Sequence, residues 1–188
     1  MDPSSLPALF RTLSLGVYVV GVGRLPEVNA FTAAWLMPVS FSPPLLALAI
    51  GPHHASHALL QRHGVFTVNV LAAGQAGLAE RFGRPGQKDF ASVNWQYGRT
   101  GAPILPEALA HMECWLEGSY PAGDHRLALG TVVHGAIHRP TALLVATALS
   151  PQPLLYASLG DLDGAAALFP PDFPPYAPPY GGVAPGPA

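Results

Sequence analysis

The feature that most restricts this chain is a pair of long strand-forming runs, His111 to Tyr120 and Arg126 to His138, separated by the turn composition Pro121-Ala122-Gly123-Asp124. Runs this close in sequence pair as antiparallel neighbours, and the rest of the chain is consistent with a sheet built around them. Leu13 to Gly23 is valine-rich and closes on glycines, and Asn29 to Met37 and Leu45 to Ile50 read as further strands after turn residues. Phe66-Thr67-Val68-Asn69-Val70 alternates apolar and polar side chains, the period of a half-buried strand. Two short helices interrupt the pattern. One runs from Ser56 to His63 behind a serine N-cap, with Gly64 placed for a left-handed C-cap; the other spans Gln75 to Phe82, with Leu78 and Phe82 on one face. Gly83 to Asp89 reads as a surface loop, and Pro153 to Ala157 as an edge strand.

The length of 188 residues suits one domain, expected over 1–168, followed by a tail over 169–188 rich in Pro, Gly and aromatic residues. That tail reads as disordered or polyproline-like, the alternative being a strap whose Phe169, Phe173, Tyr176 and Tyr180 dock on a neighbouring subunit. Hydrophobic residues make up 49% of the chain and charged ones 11%, so the core is ample but charge is scarce for covering the surface; a homodimer is expected. A formal charge of −2 without blocks of like charge gives no footprint for nucleic acid or an anionic membrane. The apolar stretch Trp35 to Ile50 is broken by Pro38, Pro43 and Pro44, which argues against a membrane span. The start lacks the features of a secretory signal, and the single Cys114 fits a reducing compartment, so a cytoplasmic protein is expected.

Several chemistries are excluded by the absence of their residues. There is no GxSxG elbow and no Walker A sequence, and Gly21-Val22-Gly23 lacks the third glycine of a dinucleotide fingerprint. His53 and His57 have a metal-compatible spacing, but no Glu stands between them and no carboxylate lies nearby, so no metal site is read there. Gly51-Pro52-His53-His54-Ala55-Ser56-His57 makes better sense as an anion site, because a strand gives way to a helix whose free N–H groups and serine hydroxyl can hold a phosphate. The plainer reading is a serine N-cap among solvated histidines. In Asn29-Ala30-Phe31-Thr32-Ala33-Ala34-Trp35, small residues let main chain approach a flat ligand; the alternative is a strand leading into a proline-rich bend.

Taken in order, Asn29 to Trp35, Pro38-Val39-Ser40, Pro43-Pro44, Gly64 to Val70 and Gly123-Asp124-His125 resemble the flavin reductase-like FMN-binding split barrels over about Leu13 to Tyr156. The resemblance implies an antiparallel Greek-key barrel that dimerises and holds FMN in a groove near the subunit interface. It assigns flavin contact to Asn29, Phe31, Thr32, Ala33, Ala34 and Trp35, with Ser40 a weaker candidate. It matches Ser56 to a phosphate-binding residue, with His54 and His57 beside it and His54 standing where many members carry Arg. It sets Lys88, in Lys88-Asp89-Phe90, with Phe90 at the phosphate. Gly123-Asp124-His125 falls where the nicotinamide is expected. The chain departs from the family pattern at Ala34, which replaces a serine hydroxyl and leaves that contact to the backbone or Thr32. It departs again at Thr131, where a Glu often follows the glycine of the last long strand.

The activity implied is hydride transfer from NAD(P)H to flavin, with a monooxygenase or another electron acceptor downstream; no nucleophile or carboxylate pair is required, because the cofactor carries the chemistry. His125 is the candidate catalytic residue, orienting the nicotinamide or donating toward developing charge, unless it serves only to cap its turn. Trp35 stacks on the ring or fills the core. Two other readings stay open: an FMN-binding electron carrier without NAD(P)H oxidase activity, and a barrel that has lost its ligand.

Overall fold

The computed structural model describes residues 10, 13–84 and 90–139. Within them the strands are β1 (Tyr18–Arg24), β2 (Glu27–Ala33), β3 (Leu36–Phe41), β4 (Pro44–Ile50), β5 (Val65–Val70), β6 (Gln96–Tyr97), β7 (Pro103–Ile104), β8 (Ala110–Ala122) and β9 (His125–Ile137). The helices are α1 (Ala55–His63) and α2 (Ala76–Gly83). Seven strands form one antiparallel sheet in the order β2-β1-β5-β8-β9-β4-β3, and β6 pairs with β7 beside it. The predicted hairpin of β8 and β9 lies at its centre. Its loop is two residues long, with Gly123 at φ 66 in the first central position, a conformation a side chain would disfavour.

The two edges of this sheet, β2 and β3, are consecutive in sequence and separated only by Ala34 and Trp35. Three residue steps reach at most about 11 Å. In a flat sheet seven strands wide, the outer strands would lie about 29 Å apart. The sheet is therefore curled until its edges nearly meet, although among the described residues no hydrogen-bonded ladder joins them. The result is a barrel split along one seam.

Inside the curl lies a core drawn from every long strand and from α1: Val20, Val22, Phe31, Leu36, Leu48, Leu60, Phe66, Val68, Cys114 and Ala128 belong to it. A second cluster, including Val17, Val19, Ala30, Ala79, Phe82, Phe90 and Leu105, packs outside β1 and β2 under α2. β1 is thus buried on both faces, which its valine-rich sequence allows.

Three local expectations are corrected. The run from Asn29 to Met37 is not one strand, because it crosses the seam at Ala34 and Trp35. β5 is buried at every position rather than half-buried. Its polar side chains are satisfied internally: Thr67 donates to the Pro103 carbonyl, while Asn69 donates to the Val19 carbonyl at 3.0 Å and accepts from the Leu105 N–H at 2.8 Å. The third correction concerns the α1 N-cap, which is His54; its Nδ1 accepts from the Ser56 N–H at 3.1 Å. Gly64 closes that helix at φ 64, as expected. The expected strand over Pro153 to Ala157, the tail and most of the Gly83–Asp89 loop lie outside the described residues. No described helix is long and apolar enough to cross a membrane.

Candidate functional site

The seam opens into a groove of ≈ 290 Å³. Phe31, Thr32, Ala33, Ala34 and Trp35 form one wall, Ala49, Ile50 and Gly51 from the end of β4 form another, and His54 and His125 complete the lining. Each residue arrives there for a structural reason. β2 runs out at Ala33, which brings Phe31, Thr32 and Ala33 to the rim of the gap. The Ala49 N–H donates to the Trp35 carbonyl at 2.9 Å, fixing the crossing against β4. His54 sits where α1 begins, and the tight loop sets His125 at the first position of β9.

Aromatic contacts frame the groove. The Phe31 and His54 rings lie 4.6 Å apart, and those of Trp35 and His125 5.0 Å apart. Small residues between them leave main chain accessible to a flat ligand. The first turn of α1 carries no acidic residue, so its positive dipole end is not neutralised from within the helix. His125 Nδ1 lies 2.8 Å from Asp124 Oδ1, and this bond holds the Asp124 carboxyl below its usual range. Asp124 thereby occupies Nδ1 and leaves Nε2 to meet a ligand. Thr32 lines the groove but donates its hydroxyl to the Ala79 carbonyl at 2.6 Å, so toward a ligand it can only accept.

Of the predicted site residues, the structure gathers Phe31, Thr32, Ala33, Ala34, Trp35, His54 and His125. Asn29 and Ser56, expected at the flavin and its phosphate, do not line the groove: both are buried, and the Asn29 amide donates to Ser56 Oγ at 3.2 Å, tying β2 to α1. His57 does not line the groove, and its enclosed Nε2 has no hydrogen-bond partner among the described residues. Ser40 lies on β3 opposite Leu45, outside the groove. Phe90 is a core residue, packed on Phe82 and Trp95 with ring centroids 5.7 and 4.7 Å away. Lys88 lies outside the described residues. Thr131 is buried and donates to Glu117 Oε1 at 2.5 Å. A larger depression of ≈ 460 Å³ beside α2, lined by Glu80, Arg81, Arg84, Ser92 and Glu107 among others, contains none of the predicted residues.

Sequence reasoning missed a polar cluster at the far end of the central hairpin. His111, Glu113 and His134 converge there, and His138 Nε2 lies 2.8 Å from His111 Nδ1. Burial alone would raise the Glu113 pKa, but the N–H groups of Thr100 and Arg99, the Thr100 hydroxyl and His134 outweigh it and hold the carboxyl below its ordinary value. Burial and the neighbouring His138 push His111 down, against the pull of Glu113. Burial, with a smaller contribution from Glu113, pushes the Cys114 thiol far up, making it inert.

Comparison with known proteins bears on the groove. A family model described as flavin reductase like domain matches residues 10–160. The chain is 37% identical over 137 residues to the NADH-dependent FAD reductase of Streptomyces globisporus, covering 70% of this chain and 75% of that protein. It is 35% identical over 131 residues to the reductase subunit HsaB of a flavin-dependent monooxygenase from Rhodococcus jostii RHA1, covering 67% of each. The structure of the Streptomyces globisporus C-1027 NADH:FAD oxidoreductase SgcE6 in complex with NAD and FAD fragments matches with a TM-score of 0.73 at 32% identity, over 82% of this chain and 93% of that one.

Proposed function

The chain belongs to the flavin reductase-like family, and we infer that it is an NAD(P)H-dependent flavin reductase whose flavin lies in the seam groove. The observation that carries this reading is the meeting, at one split in the barrel, of small-residue main chain, Trp35, His54 and His125. Those residues fit a flavin: the alanines admit a flat ring, Phe31 and Trp35 supply apolar faces, and the α1 tip with His54 suits an anionic phosphate. A bound flavin supplies the redox chemistry by accepting hydride from the nicotinamide.

The protein's share of the work is placement. The groove walls hold the rings in contact and keep water from them. His125, its Nδ1 tied to Asp124, lines the groove and would offer Nε2 to the nicotinamide. FMN is the flavin expected from the sequence; the names of the relatives favour FAD as the second reading. Both share the ring that the groove would take.

The groove's ≈ 290 Å³ lies at the lower bound of ligand pockets, so a second subunit is the natural source of the missing wall. Trp35, Met37, Val39 and Phe41, on and just before edge strand β3, are each about half exposed and supply an apolar surface for a homodimer. A monooxygenase or similar enzyme would consume the reduced flavin, and a cytoplasmic setting suits the buried free thiol of Cys114.

The test is oxidation of NADH and NADPH by purified protein with FMN, FAD or riboflavin added in turn. Flavin-dependent oxidation is the expected result, with the rate ranking identifying the flavin. No oxidation with any flavin overturns the reading.

A further inference from the structure

We propose that His111, Glu113 and His134 bind a divalent transition-metal ion, best suited to Zn²⁺, at the end of the β8–β9 hairpin remote from the flavin groove. The ladder itself assembles the donors. His111 and Glu113 are two apart on β8 and share a face, and His134 stands directly opposite Glu113 on β9, beside an irregularity in register. One donor atom from each lies within 4.8 Å of the others. His134 Nδ1 is 3.1 Å and His111 Nε2 3.9 Å from the same oxygen, Glu113 Oε1. Tetrahedral zinc with nitrogen and oxygen ligands sets neighbouring donors about 3.3 Å apart, a spacing that small side-chain rotations reach.

The independent sign of a ligand is His111 itself. It is 5% exposed, and its Nε2 has no hydrogen-bond partner among the described residues although it faces a carboxylate. Buried polar atoms are rarely left so, and a cation would satisfy the nitrogen and the carboxylate together. The outer supports of a metal site are also in place. His111 Nδ1 is engaged by His138 at 2.8 Å, and Glu113 Oε2 accepts from the Thr100 N–H at 2.7 Å and the Thr100 hydroxyl at 2.9 Å. His134 is 30% exposed, which leaves a route from solvent and a side for a fourth, water ligand. Nine residue steps along β9 separate His134 from His125, about 30 Å of strand, so the ion would fasten the hairpin to the Thr100 segment without meeting the flavin. The inference is independent of the flavin reading.

The experiment uses the full chain without an affinity tag, stripped with a chelator and titrated with Zn²⁺ against a chromophoric competitor, and with Co²⁺ read at wavelengths beyond the flavin bands. One ion per chain is expected, with tetrahedral Co²⁺ bands. His134→Ala should weaken Zn²⁺ by more than the roughly 10- to 100-fold expected of His138→Ala, which removes only an outer support. Glu113→Gln should do the same, and if that variant fails to fold, the partly exposed His134 decides. His53→Ala should leave binding unchanged. Zn²⁺ affinity undiminished in His134→Ala overturns the proposal, as does binding lost in His53→Ala, which would assign the ion to the histidines before α1.

Discussion

At the turn of the β8–β9 hairpin, His125 meets Asp124 at 2.8 Å with the carboxylate 93% exposed; at the other end, His134 meets Glu113 at 3.1 Å with the carboxylate 1% exposed. Each pair joins an imidazole to a carboxylate, and the settings are opposite. Water can replace every bond that Asp124 makes, so its pair with His125 orients an imidazole without holding the fold together. Glu113 has exchanged its water for Thr100, Arg99 and His134, and Gly98 makes room for it, since a Cβ there would collide with the carboxylate. One end of the hairpin leaves its carboxylate in water, and the other holds it among protein groups, where the proposed metal ion would join them.

The largest expected effect tests the buried end. Glu113→Ala leaves the Thr100 N–H and hydroxyl without their acceptor in a buried place and should cost about 3 kcal/mol of stability, measured by urea unfolding. Flavin affinity of the folded fraction should not change. A loss below about 1 kcal/mol would mean that another acceptor takes over the Thr100 N–H and hydroxyl and that the two ends differ less than their exposures indicate.

The exposed end should show the converse. His125→Ala is expected to lower kcat/KM for the nicotinamide roughly 100-fold, the lower edge of what a positioned proton donor contributes, while Tm stays the same. An unchanged rate would reduce His125 to a turn residue. Next in size, Trp35→Ala should weaken flavin about tenfold, within the range for stacking on an aromatic side chain, with stability shifted by less than about 0.5 kcal/mol. Flavin fluorescence titration beside thermal unfolding separates the two quantities.

The same contrast explains what could be read from the sequence. The hairpin, its turn and the Gly64 cap are local features, written in consecutive residues, and the structure has them. Phe31 to Trp35, His54 and His125 lie far apart in the chain yet line one groove, a meeting that composition does not encode and that only the resemblance anticipates. The seam at Ala34 and Trp35 has no turn residue to announce it; it follows from the curl of the whole sheet, a non-local property. Thr67 and Asn69 looked solvent-facing by their period, but β7 and the residues around it cover them. Phe90 was placed by motif beside a phosphate, whereas its burial belongs to the cluster under α2. The His111–Glu113 alternation was visible, as was the four-residue spacing of His134 and His138. Only the register across the hairpin shows that they meet.

The smallest effect separates two roles for Ser56 at the tip of α1. Ser56 read as a phosphate ligand, and in that case Ser56→Ala would weaken FMN while sparing riboflavin, which has no phosphate to lose. In the structure its hydroxyl is wholly buried and takes a hydrogen bond from Asn29 at 3.2 Å, so the substitution removes a link between β2 and α1 instead. The expected result is a stability loss of about 1 kcal/mol, the usual net value of such a bond, with FMN and riboflavin affinities altered alike or not at all. A loss confined to FMN would show that the α1 tip turns this hydroxyl outward to meet a phosphate, and that the seam groove extends past His54 to the first turn of the helix.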